Sequence, residues 1–572
     1  MIKKWLVREQ APQEFVKTYA DLDPTVVQLL YNRNLRTKPE IDEFLNPSQS
    51  EYEHDPLLFK DMAAAVEKTI SFIKDRKKIA ICGDYDADGV SSSAILSETL
   101  KKLGAIVEVW IPSRFGQGYG LSNAIVDDLK AKDFSLIITV DNGIRSKKEA
   151  EYALSLGMEM IVTDHHEGPP TREEEPQCLL IDPILEHEQY PFKYLCGAGV
   201  AYKFATALIN ASTLAEEVKE NLKQSVVDLA AIGTIADCVP LLGENRHLAA
   251  KGLEQMNRRP RLGIRELAAV SNLTGELDSW NIAWQITPRL NVAGRLDHAN
   301  AAYQLLVTKD PNEARSIAAD LNQKNIERQT MTLNIVNEAT AQIEKDQKDE
   351  TLLIAISPNV RDESAEGWNE GVIGLAAGRI AEKYSRPCLV ITRSEGKIKG
   401  SGRSIEQFNL VSALEVGKEH LDRYGGHKMA CGFSMKALED LDGFCDKARS
   451  LAKQDLASVD LSPVLKIDAA VAIEAVNAEF INQIERFAPF GQDNNEPKFM
   501  SQVRIEEVMV MGKDKTHLKL RVNGLWALAF RKAEEWGHLP AGTTVDLAYT
   551  VCFNDFNGRR EPQLKIVDLR TL

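Results

Sequence analysis

Three apolar runs that each close on carboxylates or imidazoles constrain this chain more than any other feature. Lys78 to Cys82 leads into Asp84-Tyr85-Asp86-Ala87-Asp88-Gly89, Leu136 to Val140 into Asp141-Asn142-Gly143, and Met160 to Thr163 into Asp164-His165-His166. The runs are rich in Ile, Val and Leu with little alternation, the pattern of parallel strands covered on both faces. In such a sheet the carboxyl ends of neighbouring strands open onto one crevice, where ligands bind. Carboxylates gathered there repel one another and lose hydration, a cost that bound cations offset. The pattern predicts a site for a pair of divalent metal ions.

Taken alone, Asp84, Asp86 and Asp88 at i, i+2, i+4 fit a solvated turn, a calcium-type loop or a catalytic metal site. The calcium loop needs a bidentate Glu at its twelfth position, whereas Glu98 falls at the fifteenth. Asp141 at the end of a second strand, and adjacent histidines after Asp164 at the end of a third, favour the catalytic reading.

With 572 residues, 44% of them hydrophobic, the chain has material for several cores. No apolar stretch approaches the roughly 20 residues that span a bilayer. The first residues soon meet Arg8 and Glu9, so the apolar core of a signal peptide is missing. Eight scattered cysteines without a Cys-x-x-Cys pair suit reduced thiols; the expected compartment is the cytoplasm. The net charge of −15 is unevenly spread, since residues 513–572 carry ten Lys or Arg against seven Asp or Glu, a local +3. Charges are screened over about 8 Å at physiological salt, so an acidic total does not exclude a nucleic-acid partner.

Along the chain, residues 1–75 read as a helical segment, and strands and helices are expected to alternate from Lys78 to about Val307. Asp310-Pro311-Asn312-Glu313 offers an N-cap, a first-turn proline and an acid, opening a helix free of Gly and Pro to about Ala341. A second α/β segment follows, with strands expected at Leu352 to Ile356 and Cys388 to Ile391. From about Leu461 strand signals dominate. His517, Lys519 and Arg521 alternate with Leu518, Leu520 and Val522, and Asn523-Gly524 and Asn557-Gly558 mark turns of a small antiparallel barrel.

The motifs at 84–88, 141–143 and 164–166 resemble those of the DHH phosphoesterase superfamily, and Gly425-Gly426-His427-Lys428-Met429-Ala430-Cys431-Gly432 resembles the glycine-rich motif of its DHHA1 partner domain. Within the superfamily the chain is similar over nearly its whole length to the RecJ single-stranded-DNA exonucleases. Further matches are Gly118-Tyr119-Gly120-Leu121, Gly233-Thr234-Ile235-Ala236-Asp237, Pro288-Arg289-Leu290-Asn291 with Gly294-Arg295, Gly400-Ser401-Gly402-Arg403-Ser404, and Pro489-Phe490-Gly491 with Asn495-Glu496-Pro497.

The resemblance implies an α/β fold of two α/β domains, a parallel-sheet DHH domain (76–308) and a smaller DHHA1 domain (347–458), joined by a long helix (309–346). A helical segment (1–75) precedes them and a nucleic-acid-binding OB-fold barrel (459–572) follows. It further implies a metal-dependent 5′→3′ exonuclease that releases nucleoside 5′-monophosphates, serving DNA repair and recombination. By the same resemblance Asp84, Asp86, Asp141, His165 and Asp237 hold two cations, while His166, Asp141 and Asp88 serve catalysis. Carboxylates with one imidazole suit Mn²⁺, with Mg²⁺ as the alternative. Arg114, Ser401 and Arg403 match positions that hold a terminal 5′-phosphate. Arg289, Asn291 and Arg295 match a strand-guiding motif, and Gly425, Gly426 and His427 a backbone approach to phosphate.

In the barrel, Lys519 and Arg521 lie on a basic face beside Trp526, Phe530 and Phe556, the grooved arrangement that holds single strands. At least half of those aromatics are expected in the core, and the barrel is expected to be separable from the metal chemistry. The implied partners are single-stranded DNA, a single-stranded-DNA-binding protein and a RecQ-type helicase, with a monomeric enzyme and no membrane. Two departures from the family pattern stand out: Cys82 where His is common beside the first metal, and Asn369 after Trp368 where His is common.

Overall fold

The computed structural model describes residues 3–49, 52–112, 120–296, 300–556 and 559–572; side chains are described for the same residues except Leu296, Asp555, Phe556 and Arg559. Arg114, Gly118, Tyr119, Asn557 and Gly558 lie outside the described residues, as do the side chains of Phe556 and Arg559. The chain divides into two compact units, one of Trp5–Asn291, His298–Ala318 and Leu465–Leu572, the other of Val292–Asp297 and Ala319–Val464 with Met1–Lys4.

In the first unit, β1 (Lys78–Gly83), β2 (Ile106–Trp110), β3 (Phe134–Val140), β4 (Glu159–Thr163) and β5 (Leu179–Ile181) form a parallel sheet in the order β2-β1-β3-β4-β5. The apolar runs of β1, β3 and β4 are buried almost throughout, as strands covered on both faces require. Register makes their ends level: Gly83 lies opposite Val140, Val140 opposite Thr163, and Thr163 opposite Ile181. The residues that follow this last row are Asp84, Asp141, Asp164 and Asp182. The order reverses between β1 and β3, a switch point where the crevice opens.

Beyond Ile181 the expected alternation of strands and helices stops. The described residues from 182 to 307 are built from helices, among them Gly197–Ala211, Glu216–Ala236 and Gly243–Arg258. Their apolar residues recur at helical spacing, as in Val226, Val227, Ala230 and Ala231, and Ala and Gly let the backbones approach. Helices Ala87–Lys102, Gly197–Ala211 and Glu216–Ala236 pack on one another.

The barrel belongs to this unit. Strands β6 (Phe499–Met511), β7 (His517–Val522), β8 (Leu525–Ala529), β9 (Thr544–Phe556) and β10 (Arg559–Thr571) pair as β6-β7-β8-β10-β9, and β9 pairs back with β6 to close the ring. Leu518, Leu520 and Val522 are fully buried, so the predicted alternation holds. The barrel is not the detachable annex expected. Its core is continuous with helices Pro24–Asn32 and Lys38–Leu45 through Val26, Leu29, Ile41 and Phe44. Arg246, 1% exposed, donates to the carbonyls of Phe44, Arg486, Phe487, Ala488 and Pro489 at 2.8–3.3 Å. Removing the C-terminal region would strip that guanidinium of four of its five acceptors and open the shared core.

In the second unit, a mixed sheet combines β11 (Leu353–Ile356), β12 (Cys388–Ser394), β13 (Lys397–Arg403), β14 (Leu421–His427) and β15 (Ala430–Met435) in the order β14-β15-β13-β12-β11. Strands β13 and β14 carry Gly and charged residues in place of an apolar run, and β15 alternates buried Cys431, Phe433 and Met435 with more open positions. The long helix spans Pro311–Asp346, 36 residues, with Asp310 accepting from the Asn312 amide at 2.8 Å as its cap.

Candidate metal centre

Backbone geometry delivers the carboxylates. Asp86 caps helix Ala87–Lys102, accepting from the amides of Asp88 (3.0 Å) and Gly89 (3.1 Å). Asn291 Oδ1 accepts from the Ala87 amide at 2.6 Å and ties its motif to this loop. Asp141 turns its strand end with φ +61°, a conformation an Asp tolerates better than most residues. Gly197 is fixed by space: a Cβ there would lie 2.6 Å from the Asp141 side chain.

Asp237, at the C-terminal end of helix Glu216–Ala236, arrives from the opposite side. His165 Nε2 stands 3.1 Å from Asp141 Oδ1 and 3.8 Å from both Asp88 Oδ2 and Asp237 Oδ2. The groups Asp84–Asp86–Asp141, Asp88–His165–Asp237 and Asp141–His165–His166 each hold ligand atoms within 4.8 Å of one another.

The electrostatics of this cluster call for cations. Burial, then the carboxylates of Asp88, Asp86, Asp84 and Asp237, push Asp141 well above the ordinary carboxyl range. Burial with Asp88 and Asp86 pushes Asp237 up to about 8. Burial lowers His165 below the usual imidazole value, so the ring is neutral at pH 7. Its Nε2 is buried without a hydrogen-bond partner among the described residues. A neutral imidazole nitrogen aimed at a carboxylate oxygen, inside an excess of negative charge, is the donor set a divalent ion satisfies. The residues present fit a metal.

His166 is built for a different task. Its Nδ1 donates to Asp164 Oδ1 at 2.7 Å, and its side chain is 44% exposed. Burial works against its charge, but the hydrogen bond and the carboxylates of Asp164, Asp237 and Asp84 prevail and raise it to about 9. Asp164 also accepts from the amides of Ile144, His165 and His166, and so fixes the backbone of both histidines and the ring of His166.

Asp88 is 1% exposed and takes the amides of Gly197 (2.7 Å) and Ala198 (2.8 Å), a carboxylate on a helix N-terminus. Both its oxygens are engaged in orienting the backbone. Cys82 packs with Ala80, Leu121 and Ile137 in the apolar core, and burial pushes its thiol up to about 12; the structure gives it to packing. Asn369 caps helix Glu370–Tyr384, accepting from Gly371 N at 2.9 Å, an asparagine role a histidine fills less well.

The remaining predicted residues are spread over both units. Arg289 is half-buried and donates to the Gln285 carbonyl at 2.6 Å; Arg295 donates to the Gly371 carbonyl at 3.1 Å. In the second unit register puts Ser401, Gly432 and Gly425 in one row and Arg403, Ala430 and His427 in the next but one, on the same face of the sheet. A Cβ on Gly425 would meet nothing within 4 Å, leaving an open floor. Gly426, at φ +141°, would press a Cβ onto the Ala430 carbonyl at 2.3 Å.

On the barrel, Lys519 Nζ lies 4.1 Å and the Arg521 guanidinium 5.5 Å from the Trp526 ring centroid. Phe530 is 61% exposed and Trp526 half-buried. Both described aromatics thus escape the core assigned to them, because β8 turns Ala527 and Ala529 inward instead. Sequence reasoning missed Asp182, which follows a strand of three residues, and the Gly197–Ala198 amides, marked only by Gly-Ala-Gly before an apolar helix.

The sequence matches three family models: the N-terminal domain of the DHH family over residues 78–234, the DHHA1 domain over 349–454 and the RecJ OB domain over 467–568. It is 36% identical to the single-stranded-DNA-specific exonuclease RecJ of Bacillus subtilis over 99% of this chain and 70% of that protein. It is similar to the crystal structure of Thermus thermophilus RecJ in complex with Mn²⁺, with a TM-score of 0.82 and 29% identity over 100% of this chain and 80% of that one. The Mg²⁺ complex of the same protein gives a TM-score of 0.77 at 28% identity, over 100% of this chain and 78% of that one. Among the described residues no helix is long and apolar enough to cross a membrane.

Proposed function

The chain belongs to the RecJ family of single-stranded-DNA-specific exonucleases, and from that premise we propose that it hydrolyses single-stranded DNA from the 5′ end, releasing nucleoside 5′-monophosphates. The observation that carries this reading is the His165 Nε2 facing Asp141 at 3.1 Å within a cluster of buried and half-buried carboxylates whose ligand atoms converge. In this reading Asp84, Asp86, Asp141, His165 and Asp237 hold two divalent cations. Once bound, such cations supply an activated water and stabilise the entering and leaving oxygens of an in-line displacement at phosphorus.

The chain's own residues supply the rest. His166, kept cationic by Asp164, donates a hydrogen bond to a non-bridging phosphate oxygen or a proton to the leaving oxygen. Asp88 positions the Gly197–Ala198 turn behind Asp141, and Asn291 holds the loop of Asp84 and Asp86. Ser401 and Arg403 bind the terminal phosphate through charge-assisted bonds, and the open row at Gly425 lets backbone come close. On the barrel, Lys519, Arg521 and Trp526 hold the strand downstream by charge and stacking. The same reading prefers Mn²⁺ to Mg²⁺ because an imidazole nitrogen joins the carboxylate oxygens of the donor set, and envisages a monomer in the cytoplasm beside a single-stranded-DNA-binding protein and a RecQ-type helicase.

The test is end-labelled single-stranded DNA, the same sequence as duplex, and a dinucleotide, each with Mn²⁺, Mg²⁺ or EDTA. Metal-dependent release of mononucleotides from the 5′ label of the single strand is expected, with the duplex resistant. Efficient turnover of the dinucleotide alone would overturn it.

A further inference from the structure

Two indoles stand in solvent on a helical rod that joins the barrel to the metal loop. Segments Ser279–Asn281, Ile282–Ile286 and Thr287–Leu296 follow without a break. The rod buries Ser279, Ile282, Ile286, Thr287 and Leu290 and leaves Trp280 57% and Trp284 68% exposed. A soluble helix ordinarily places polar residues on that side, and neither indole has a described aromatic or cationic partner. The middle segment is a π-helical turn, a rare conformation that recurs at functional sites.

The ends of the rod say what the exposed face is for. Ser279 Oγ donates to the Phe490 carbonyl, 2.6 Å away, in the loop that leads into the barrel. Asn291 Oδ1 receives the Ala87 amide of the metal loop. Between these anchors, about 18 Å apart at the helical rise, the two tryptophans sit roughly one turn from each other, and half-buried Arg289 comes five residues after Trp284. Aromatic faces flanked by a cation, on a path from a basic barrel to a phosphodiester-cleaving centre, are what unpaired bases stack on.

We infer that Trp280 and Trp284 form a stacking platform for the bases of single-stranded DNA between the barrel and the metal centre, a role that rests on the function proposed above. Bases are favoured over an apolar protein partner by continuity with the metal loop at one end and the barrel loop at the other.

The test measures binding of a single-stranded 30-mer and of an abasic oligonucleotide of equal length, in EDTA, by the parent and by Ala, Leu and Phe variants at each position. Stacking predicts that Trp284→Ala and Trp280→Ala each weaken the 30-mer about fivefold or more. Phe should restore most of the loss and Leu little, with abasic binding unchanged within twofold. Unchanged 30-mer affinity, full rescue by Leu, or an equal loss on the abasic strand would overturn the platform; rescue by Leu would point to an apolar protein contact. If an Ala variant melts early, the Phe and Leu pair decides. Mn²⁺-dependent hydrolysis by the parent is scored separately: its absence strikes the proposed function, while selective loss of base-bearing DNA still speaks for the platform.

Discussion

Replacing Asp141 by Asn should make the metal-free protein more stable while abolishing its activity. Asp141 is 2% exposed and belongs to a group of three aspartates whose ligand atoms lie within 4.8 Å of one another. At an effective dielectric of about 20, each fully ionised pair at that distance repels by about 3.5 kcal/mol. Part of this is relieved because the carboxyls bind protons instead, which is why Asp141 is raised well above its usual range and Asp237 to about 8.

A carboxyl whose folded-state pKa is raised contributes stability in acid and loses it as pH climbs. The metal-free parent should therefore weaken between about pH 4 and pH 8. Asparagine keeps the shape that Gly197 accommodates and removes one charge. The expected gain in EDTA at pH 8 is about 1–3 kcal/mol, an upward shift of about 1–3 °C in melting temperature for a unit of this size, with little change at pH 4. Mn²⁺ should raise the parent's melting temperature strongly at pH 8 and the variant's hardly at all. The assay is thermal unfolding with and without Mn²⁺ at both pH values. An Asn variant less stable than the parent in EDTA at pH 8, or stabilised equally by Mn²⁺, would refute the claim that this cluster is strained and metal-compensated.

Arg403→Ala should cost about 1.5–3 kcal/mol in kcat/KM on 5′-phosphorylated strands and less on 5′-hydroxyl strands; parallel kinetics on the two ends decide it. His165→Ala should weaken Mn²⁺ binding in calorimetry. His166→Gln should leave it nearly intact and lower kcat about 10²–10⁴-fold. Lys519→Ala with Arg521→Ala should flatten the dependence of log affinity on log salt by about one unit or more, measured on a long oligonucleotide. Arg246→Ala, which leaves five carbonyls without their shared donor, should destabilise by about 3 kcal/mol or more, seen in chemical denaturation.

The parts of the molecule that declare themselves in the sequence are those where burial alone decides. Strands β1, β3 and β4 are apolar because both faces are covered, and their level ends carry the ligands, so the strand pattern leads directly to the metal centre. Strand β5 is three residues long, too short to leave a period, and Asp182 went unnoticed with it. Strands β13 and β14, Lys-Ile-Lys-Gly-Ser-Gly-Arg and Leu-Asp-Arg-Tyr-Gly-Gly-His, mix glycine with charge and so leave no apolar run to read, whereas β15 alternates buried Cys431, Phe433 and Met435 with more open positions. The helices from 182 to 307 carry apolar runs that read as either element until length arbitrates.

What no local pattern reveals is the partition of labour within the acidic cluster. Asp84, Asp86, Asp88, Asp141 and Asp164 look alike in one dimension. In three, Asp88 holds two helix amides and Asp164 holds three amides and an imidazole, while Asp141 faces the His165 nitrogen across 3.1 Å. The difference between a carboxylate that takes two helix amides and one that faces an imidazole depends on where the amides of Gly197 and Ala198 arrive, more than one hundred residues along the chain from Asp88. The same is true of the histidines. Adjacent in sequence, one is buried with its pKa lowered and the other is half-exposed and raised by Asp164, so under the proposed function a single dipeptide would supply both a ligand and a donor for the phosphate.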